Sequence, residues 1–122
     1  MMGKLDNYSV SMKEIHHIKK LDAPSGTAIT LAEGIIQNTN LSDWYLKGKK
    51  KENNNLSIPI EAKRIPDVPG THLVSYNSNV DSIEIKHTAF NREGFALGAV
   101  IAAEWLIDKT GVYGMKDVLN IG

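Results

Sequence analysis

Apolar and polar positions alternate from the start of the clearly patterned chain, with Tyr8, Val10, Met12 and Glu14 set against Ser9, Ser11, Lys13 and Ile15. That period of two, bounded upstream by Asp6-Asn7, predicts a first strand over residues 8–15. The period then lengthens. Ala28, Leu31, Ala32, Ile35 and Ile36 fall at i, i+3, i+4, i+7 and i+8, which gathers them on one face of a helix. Asp22, Pro24 and Ser25 supply cap and first-turn chemistry, either Asp22 or Ser25 serving as N-cap, and Gln37-Asn38-Thr39-Asn40 ends the helix. Residues 39–56 are polar and irregular and predict a loop. Ile58, Ile60 and Ala62 then alternate with Ser57, Glu61 and Lys63 as a second strand. The turn-rich Pro66-Asp67-Val68-Pro69-Gly70 leads into a third strand over residues 71–76, and Asn77-Ser78-Asn79 signals a hairpin turn. Ile83, Ile85 and His87 alternate with Ser82, Glu84, Lys86 and Thr88 in a fourth.

A last long helix is expected over residues 92–109, where Phe95, Leu97, Val100, Ile101, Trp105, Leu106 and Ile107 ring the axis with apolar groups. Gly94, Gly98 and Ala102 recur at i, i+4 and i+8 on it, a spacing that lets a neighbouring backbone approach. A helix apolar all round is buried on more than one side, which in so small a domain points to a partner subunit or domain. Gly111 and Gly114 punctuate its end, and residues 115–119 read as a short terminal helix. The order β-α-β-β-β-α predicts an α+β domain with a mixed, largely antiparallel four-stranded sheet and helices packed on one face.

Length and composition narrow the classes. The 122 residues make one domain's worth, 1–122. Lys plus Arg and Asp plus Glu number 14 each, so no net field draws the chain to nucleic acid or an acidic membrane. The basic stretch Lys47-Gly48-Lys49-Lys50-Lys51-Glu52 and the three Asn after it read as a solvated loop, without aromatic platforms for bases. No apolar run approaches the roughly 20 residues of a membrane span, and the start lacks the apolar core of a secretory signal. The absence of cysteine removes disulfides, thiolate nucleophiles and cysteine metal sites, and fits a cytoplasmic protein. The doubled Met1-Met2 before Gly3 reads as an engineered start or a domain excision.

One stretch carries chemistry: Glu14-Ile15-His16-His17-Ile18-Lys19-Lys20-Leu21-Asp22-Ala23-Pro24-Ser25-Gly26-Thr27-Ala28. It delivers two imidazoles and an ammonium at a strand end, just before a capped helix N-terminus. Free N–H groups and the positive end of the helix dipole suit a carboxylate or phosphate there. Gly26 lets a ligand approach the backbone, Ser25 and Thr27 add hydroxyls, and Lys20 adds a full positive charge. A histidine can give or take a proton near neutral pH. As a metal site the His16-His17 pair is weak, since neighbours in a strand point to opposite faces and no third ligand is suitably spaced. The residues by themselves imply an anion-binding acid–base site.

The same pattern, Glu-x-His-His-x-x-Lys-x-Asp-Ala-Pro-Ser-Gly-Thr-Ala, resembles the signature of dihydrodipicolinate reductases and stands unbroken from Glu14 to Ala28. Three later segments resemble the family too: Arg64-Ile65-Pro66-Asp67-Val68-Pro69-Gly70-Thr71-His72, Ile85-Lys86-His87-Thr88-Ala89-Phe90-Asn91-Arg92, and Gly111-Val112-Tyr113-Gly114-Met115-Lys116-Asp117-Val118-Leu119. The resemblance implies that His16 is the catalytic histidine, Lys20 the proton-donating lysine and His17 a substrate contact. It also implies that Gly26 and Thr27, with Ser25 nearby, hold a substrate carboxylate. The implied reaction is hydride transfer from NADH or NADPH to 4-hydroxy-tetrahydrodipicolinate, a small cyclic dicarboxylate, on the route to diaminopimelate and lysine, with no metal.

The chain lacks the Gly-rich strand–turn–helix unit that opens a dinucleotide domain. The resemblance therefore implies the substrate-binding and oligomerisation half of a two-domain enzyme, the nucleotide being bound mainly by an N-terminal domain missing here. It also implies a homotetramer and a chain inactive as a reductase by itself. Two rival readings are a free-standing dicarboxylate-binding module and an oligomerisation domain without catalysis.

Overall fold

The computed structural model describes residues 7–49 and 56–122, so the Met1-Met2-Gly3 start and the Lys50-Lys51-Glu52 part of the basic stretch, with the Asn residues after it, lie outside the described residues. The chain forms two compact units that divide between Phe90 and Asn91.

The first unit is a sheet with one helix. In chain order it contains β1 (Ser9–His16), α1 (Gly26–Gln37), β2 (Asp43–Leu46), β3 (Ser57–Arg64), β4 (Gly70–Asn77) and β5 (Ser82–Ala89). The strands lie in the order β2-β3-β1-β4-β5. β1 is the centre, parallel to β3 on one side and antiparallel to β4 on the other. β2 extends the parallel side and β5 the antiparallel side. Parallel pairing of β1 with β3 requires a crossover, and α1 lies within it.

The strand count corrects the sequence reading: the sheet has five strands, not four, and the additional one, β2, lies inside the expected 39–56 loop. Four residues are too few to display a period. Trp44 and Tyr45 are strand formers whose preference becomes decisive only against neighbours, here Trp44 opposite Ile58 and Leu46 opposite Ile60. The Ser57 hydroxyl also donates to the Asp43 carboxylate across this pair.

Met12, Ala28, Ala32, Ile58, Ile60, Val74 and Tyr76 form the core, with Tyr8, Val10, Ile35, Ile36, Leu41 and Trp44 packed at its edge. α1 lies against β1 and β2. Of its five predicted apolar positions, only the small Ala28 and Ala32 are fully buried, while Leu31 is exposed. Ser25 is the N-cap: its hydroxyl accepts from the Ala28 N–H at 3.1 Å. Ser78 and Asp81 close the β4–β5 hairpin, the Ser78 hydroxyl donating to Asp81 Oδ1 at 2.7 Å.

The second unit carries α2 (Glu93–Leu106) and α3 (Met115–Val118), neither with a buried residue. At the end of α2, Trp105 meets Tyr113 edge to face at 5.1 Å, and Lys109 Nζ stands 4.2 Å over the Trp105 ring. Gly111 takes the turn between them at φ 134°, which a side chain rarely adopts, and a Cβ there would meet the Tyr113 ring at 3.4 Å.

Candidate active site

Alternation along β1 turns Met12, Glu14 and His16 to the same face. At that level β1 is flanked by Arg64, opposite His16 on β3, and by His72, opposite Glu14 on β4. The register thus gathers a carboxylate, a guanidinium and two imidazoles where β1 ends and the 17–25 connection to α1 begins.

Glu14 is fully buried, with no solvent exposure. Its Oε1 accepts from Arg64 Nη2 at 3.0 Å and from the Ser25 N–H at 3.1 Å. Its Oε2 accepts from Arg64 Nη1 at 2.9 Å and lies 2.6 Å from His16 Nδ1. Arg64 also donates to the carbonyls of Lys20 at 3.3 Å, Asp22 at 2.6 Å and Lys63 at 2.7 Å. A bare buried charge is costly, and this one persists because every side of it is bonded. No buried side-chain polar atom among the described residues lacks a partner.

Ser25 Oγ stands 3.0 Å from His72 Nε2. That hydroxyl accepts from the Ala28 N–H and keeps both its own hydrogen and a second lone pair, so it bonds His72 Nε2 in either tautomer of the imidazole. The His16 and His72 rings meet edge to face at 5.1 Å.

His16 is buried, Lys20 and His17 are half-buried, and Gly26 and Thr27 are exposed at the start of α1. Lys20 Nζ lies 3.1 Å from Asp22 Oδ1, an ion pair at the surface of the connection. Ser25 is buried at 2 % exposure, its hydroxyl engaged by Ala28 and His72. The structure therefore brings His16, the Lys20 backbone and the Ser25 cap together through Glu14 and Arg64. No group of three or more His, Cys, Asp or Glu side chains among the described residues is placed to hold a metal ion.

Sequence reasoning missed Glu14, Arg64 and His72 as members of this cluster. Glu14 had one legible signal: it occupies the position of an apolar residue in the β1 alternation, where a carboxylate persists only if paired. The partners lie 50 residues away for Arg64 and 47 from Ser25 for His72, beyond the reach of periodicity.

Burial pushes the Glu14 carboxyl up, but the Arg64 hydrogen bonds, then that of His16, outweigh it and hold the group below the ordinary carboxylate range. Burial, then the neighbouring His16, pushes His72 down, against an opposing pull from Glu14. For both groups the unfolded chain binds its proton at a higher pH than the folded one. Their stabilisation is therefore complete above the unfolded pKa and lost as pH falls, from about 6.5 for His72 and about 4.3 for Glu14. The urea midpoint of this chain is expected to decline from pH 7 to pH 5 and more steeply below it. A midpoint flat to pH 4 would contradict the ion-paired Glu14.

A family model described as "Dihydrodipicolinate reductase, C-terminus" matches residues 1–119. The chain is 59% identical over 121 residues to a 4-hydroxy-tetrahydrodipicolinate reductase of Christiangramia forsetii, covering 98% of this chain and 49% of the relative. It is 43% identical to the protein of that name from Rickettsia bellii, covering 93% of this chain and 45% of the relative. Among solved structures it resembles a dipicolinate-bound dihydrodipicolinate reductase from Paenisporosarcina sp. TG-14, with a TM-score of 0.67, 26% identity, and coverage of 89% of this chain and 44% of that one. The chain spans about half the length of the curated relatives it matches.

Proposed function

This chain belongs to the dihydrodipicolinate reductase C-terminal family, and we propose that it is the substrate-binding and catalytic half of a 4-hydroxy-tetrahydrodipicolinate reductase of the diaminopimelate and lysine route. One observation carries the reading: a single bonded cluster holds His16, the Lys20 segment and the capped start of α1 together, with Gly26 and Thr27 exposed at that helix end.

The substrate is a small cyclic dicarboxylate. One carboxylate docks on the N–H groups of Gly26 and Thr27 and the Thr27 hydroxyl, where the helix dipole favours negative charge. Ser25 contributes through the helix end it caps, and His17 is a further substrate contact. Lys20 exchanges its Asp22 partner for the substrate and neutralises charge on it. Hydride arrives from NADH or NADPH. Replacing a ring hydroxyl by hydride releases water and consumes a proton, which His16 and Lys20 supply and whose charge they balance.

Among the described residues, no Gly-rich turn joins a strand to a helix as a pyrophosphate cradle, so no residue here is assigned to the nucleotide. Its binding belongs to the half of the relatives' length that this chain does not span. The exposed Phe95, Leu97, Val100 and Ile101 of α2 favour assembly with further copies, as a tetramer, and the reaction suits the cytoplasm. No helix among the described residues is long and apolar enough to cross a membrane.

Calorimetric titration of this chain with pyridine-2,6-dicarboxylate tests the placement, beside a Lys20→Ala, Thr27→Val double variant. Saturable binding is expected, weakened about 10- to 100-fold in the variant, the worth of one or two charge-assisted hydrogen bonds. Silence from both this chain and a full-length reductase carrying it would end the reading.

A further inference from the structure

The buried carboxylate at the centre of the cluster takes no part in the chemistry proposed above, yet His16, Ser25 and Arg64 all bond to it. An ionised carboxylate offers about four lone-pair positions and no donor. Glu14 has all of them engaged, by Arg64 Nη1 and Nη2, the Ser25 N–H and His16 Nδ1. Arg64 is used as fully: its remaining N–H groups go to the Lys20, Asp22 and Lys63 carbonyls. Neither side chain has a group to spare for a ligand.

The geometry assigns Glu14 as the positioning residue of the site: it holds His16 with the hydrogen on Nδ1 and leaves Nε2 as the nitrogen that exchanges protons, while Arg64 ties the same carboxylate to the segment carrying Lys20. Glu14 can only accept, so the hydrogen in the 2.6 Å contact belongs to His16 Nδ1. The opposite edge of the ring faces Gly70, where an added Cβ would stand 3.1 Å from Nε2 and 3.4 Å from Cδ2. A glycine at that position keeps the working edge of the imidazole from being pressed by a side chain. The inference deepens the reductase reading and rests on it for the use of Nε2, but the tautomer itself does not.

Replacing the carboxylate by an amide separates positioning from mere structure. In Glu14→Gln the new NH2 at the Oε1 place would face two donors, Arg64 Nη2 and the Ser25 N–H. At the Oε2 place it faces one, Arg64 Nη1, and donates to His16 Nδ1, so this orientation is favoured and moves the ring hydrogen to Nε2. Nitrogen-15 NMR of the histidine rings in this chain, at a pH where they are neutral, reads the tautomer directly. His16 is expected as the Nδ1–H form in the unmodified chain and as the Nε2–H form in the variant. In a full-length reductase carrying this chain, kcat of Glu14→Gln is expected to fall at least about tenfold, the lower range for a misplaced acid–base group. Its affinity for pyridine-2,6-dicarboxylate should stay within about threefold, since Gly26, Thr27 and Lys20 remain. An unmodified His16 in the Nε2–H form overturns the assignment, and that measurement stands even if the variant does not fold. A folded variant that keeps the Nδ1–H form and full kcat overturns it as well, reducing Glu14 to a structural tie. Loss of dicarboxylate binding in the unmodified proteins, with the tautomer as expected, would instead strike the reductase reading alone.

Discussion

An Arg64→Met variant is expected to lose about 3–5 kcal/mol of stability in the first unit, the cost of leaving a buried charge without its partner. Folded domains hold only about 5–15 kcal/mol in total, so the variant should sit at the edge of unfolding. The reason is specific to the geometry. Glu14 has no exposure and cannot recruit water when the guanidinium goes, and three backbone carbonyls lose their donor with it. Arg64→Lys should recover only part of the loss, because a single ammonium cannot meet both carboxylate oxygens and the 20–22 backbone at once. The chain has two tryptophans, one in each unit, so a Trp105→Phe background leaves Trp44 as reporter of the first unit. Urea unfolding followed by its fluorescence gives the loss as a shift of midpoint at constant slope. A loss below about 1 kcal/mol would mean that the pair behaves like a surface salt bridge and holds nothing in place.

How much of this was legible beforehand follows from the range of each signal. α1 could be read because five apolar residues repeat on one face and a cap precedes them, all within one window. β1, β3 and β5 could be read because apolar and polar residues alternate along each, and β4 because turn signals bound it on both sides. β2 could not, since its four residues become a strand through Ile58 and Ile60 rather than through themselves. The site divides in the same way. His16, Lys20, Ser25, Gly26 and Thr27 stand on one short segment whose chemistry can be read in order. The choice between Asp22 and Ser25 as cap needed the structure, which shows the Asp22 side chain facing Lys20 instead. Glu14 stands in the motif, but its role is not legible there, because its meaning is a pairing with Arg64 across the sheet. What the sequence pattern supplies is the list of proposed reacting groups. What it withholds is the carboxylate bonded to His16, Ser25 and Arg64.

The largest effect on activity is expected where the proton is handled. In a full-length reductase carrying this chain, His16→Ala and Lys20→Met are each expected to lower kcat by about 10²- to 10⁴-fold, the range a positioned acid–base group contributes. Their signatures should differ. His16 is buried and bonded through Nδ1, so its loss removes proton transfer while the exposed Gly26 and Thr27 donors still hold the ligand; KM should change little. Lys20 is half-buried and paired with Asp22 by 3.1 Å, so in the bound complex it supplies charge to the ground state as well as to the transition state; KM should rise as kcat falls. If the two act on one proton, the double variant should fall little below the worse single one, since residues that work as a unit do not add. Strict additivity would instead place them on separate steps. Either single variant retaining kcat within about threefold, with the protein folded and ligand bound, would remove that residue from the chemistry and leave it a role in the architecture of the connection between β1 and α1.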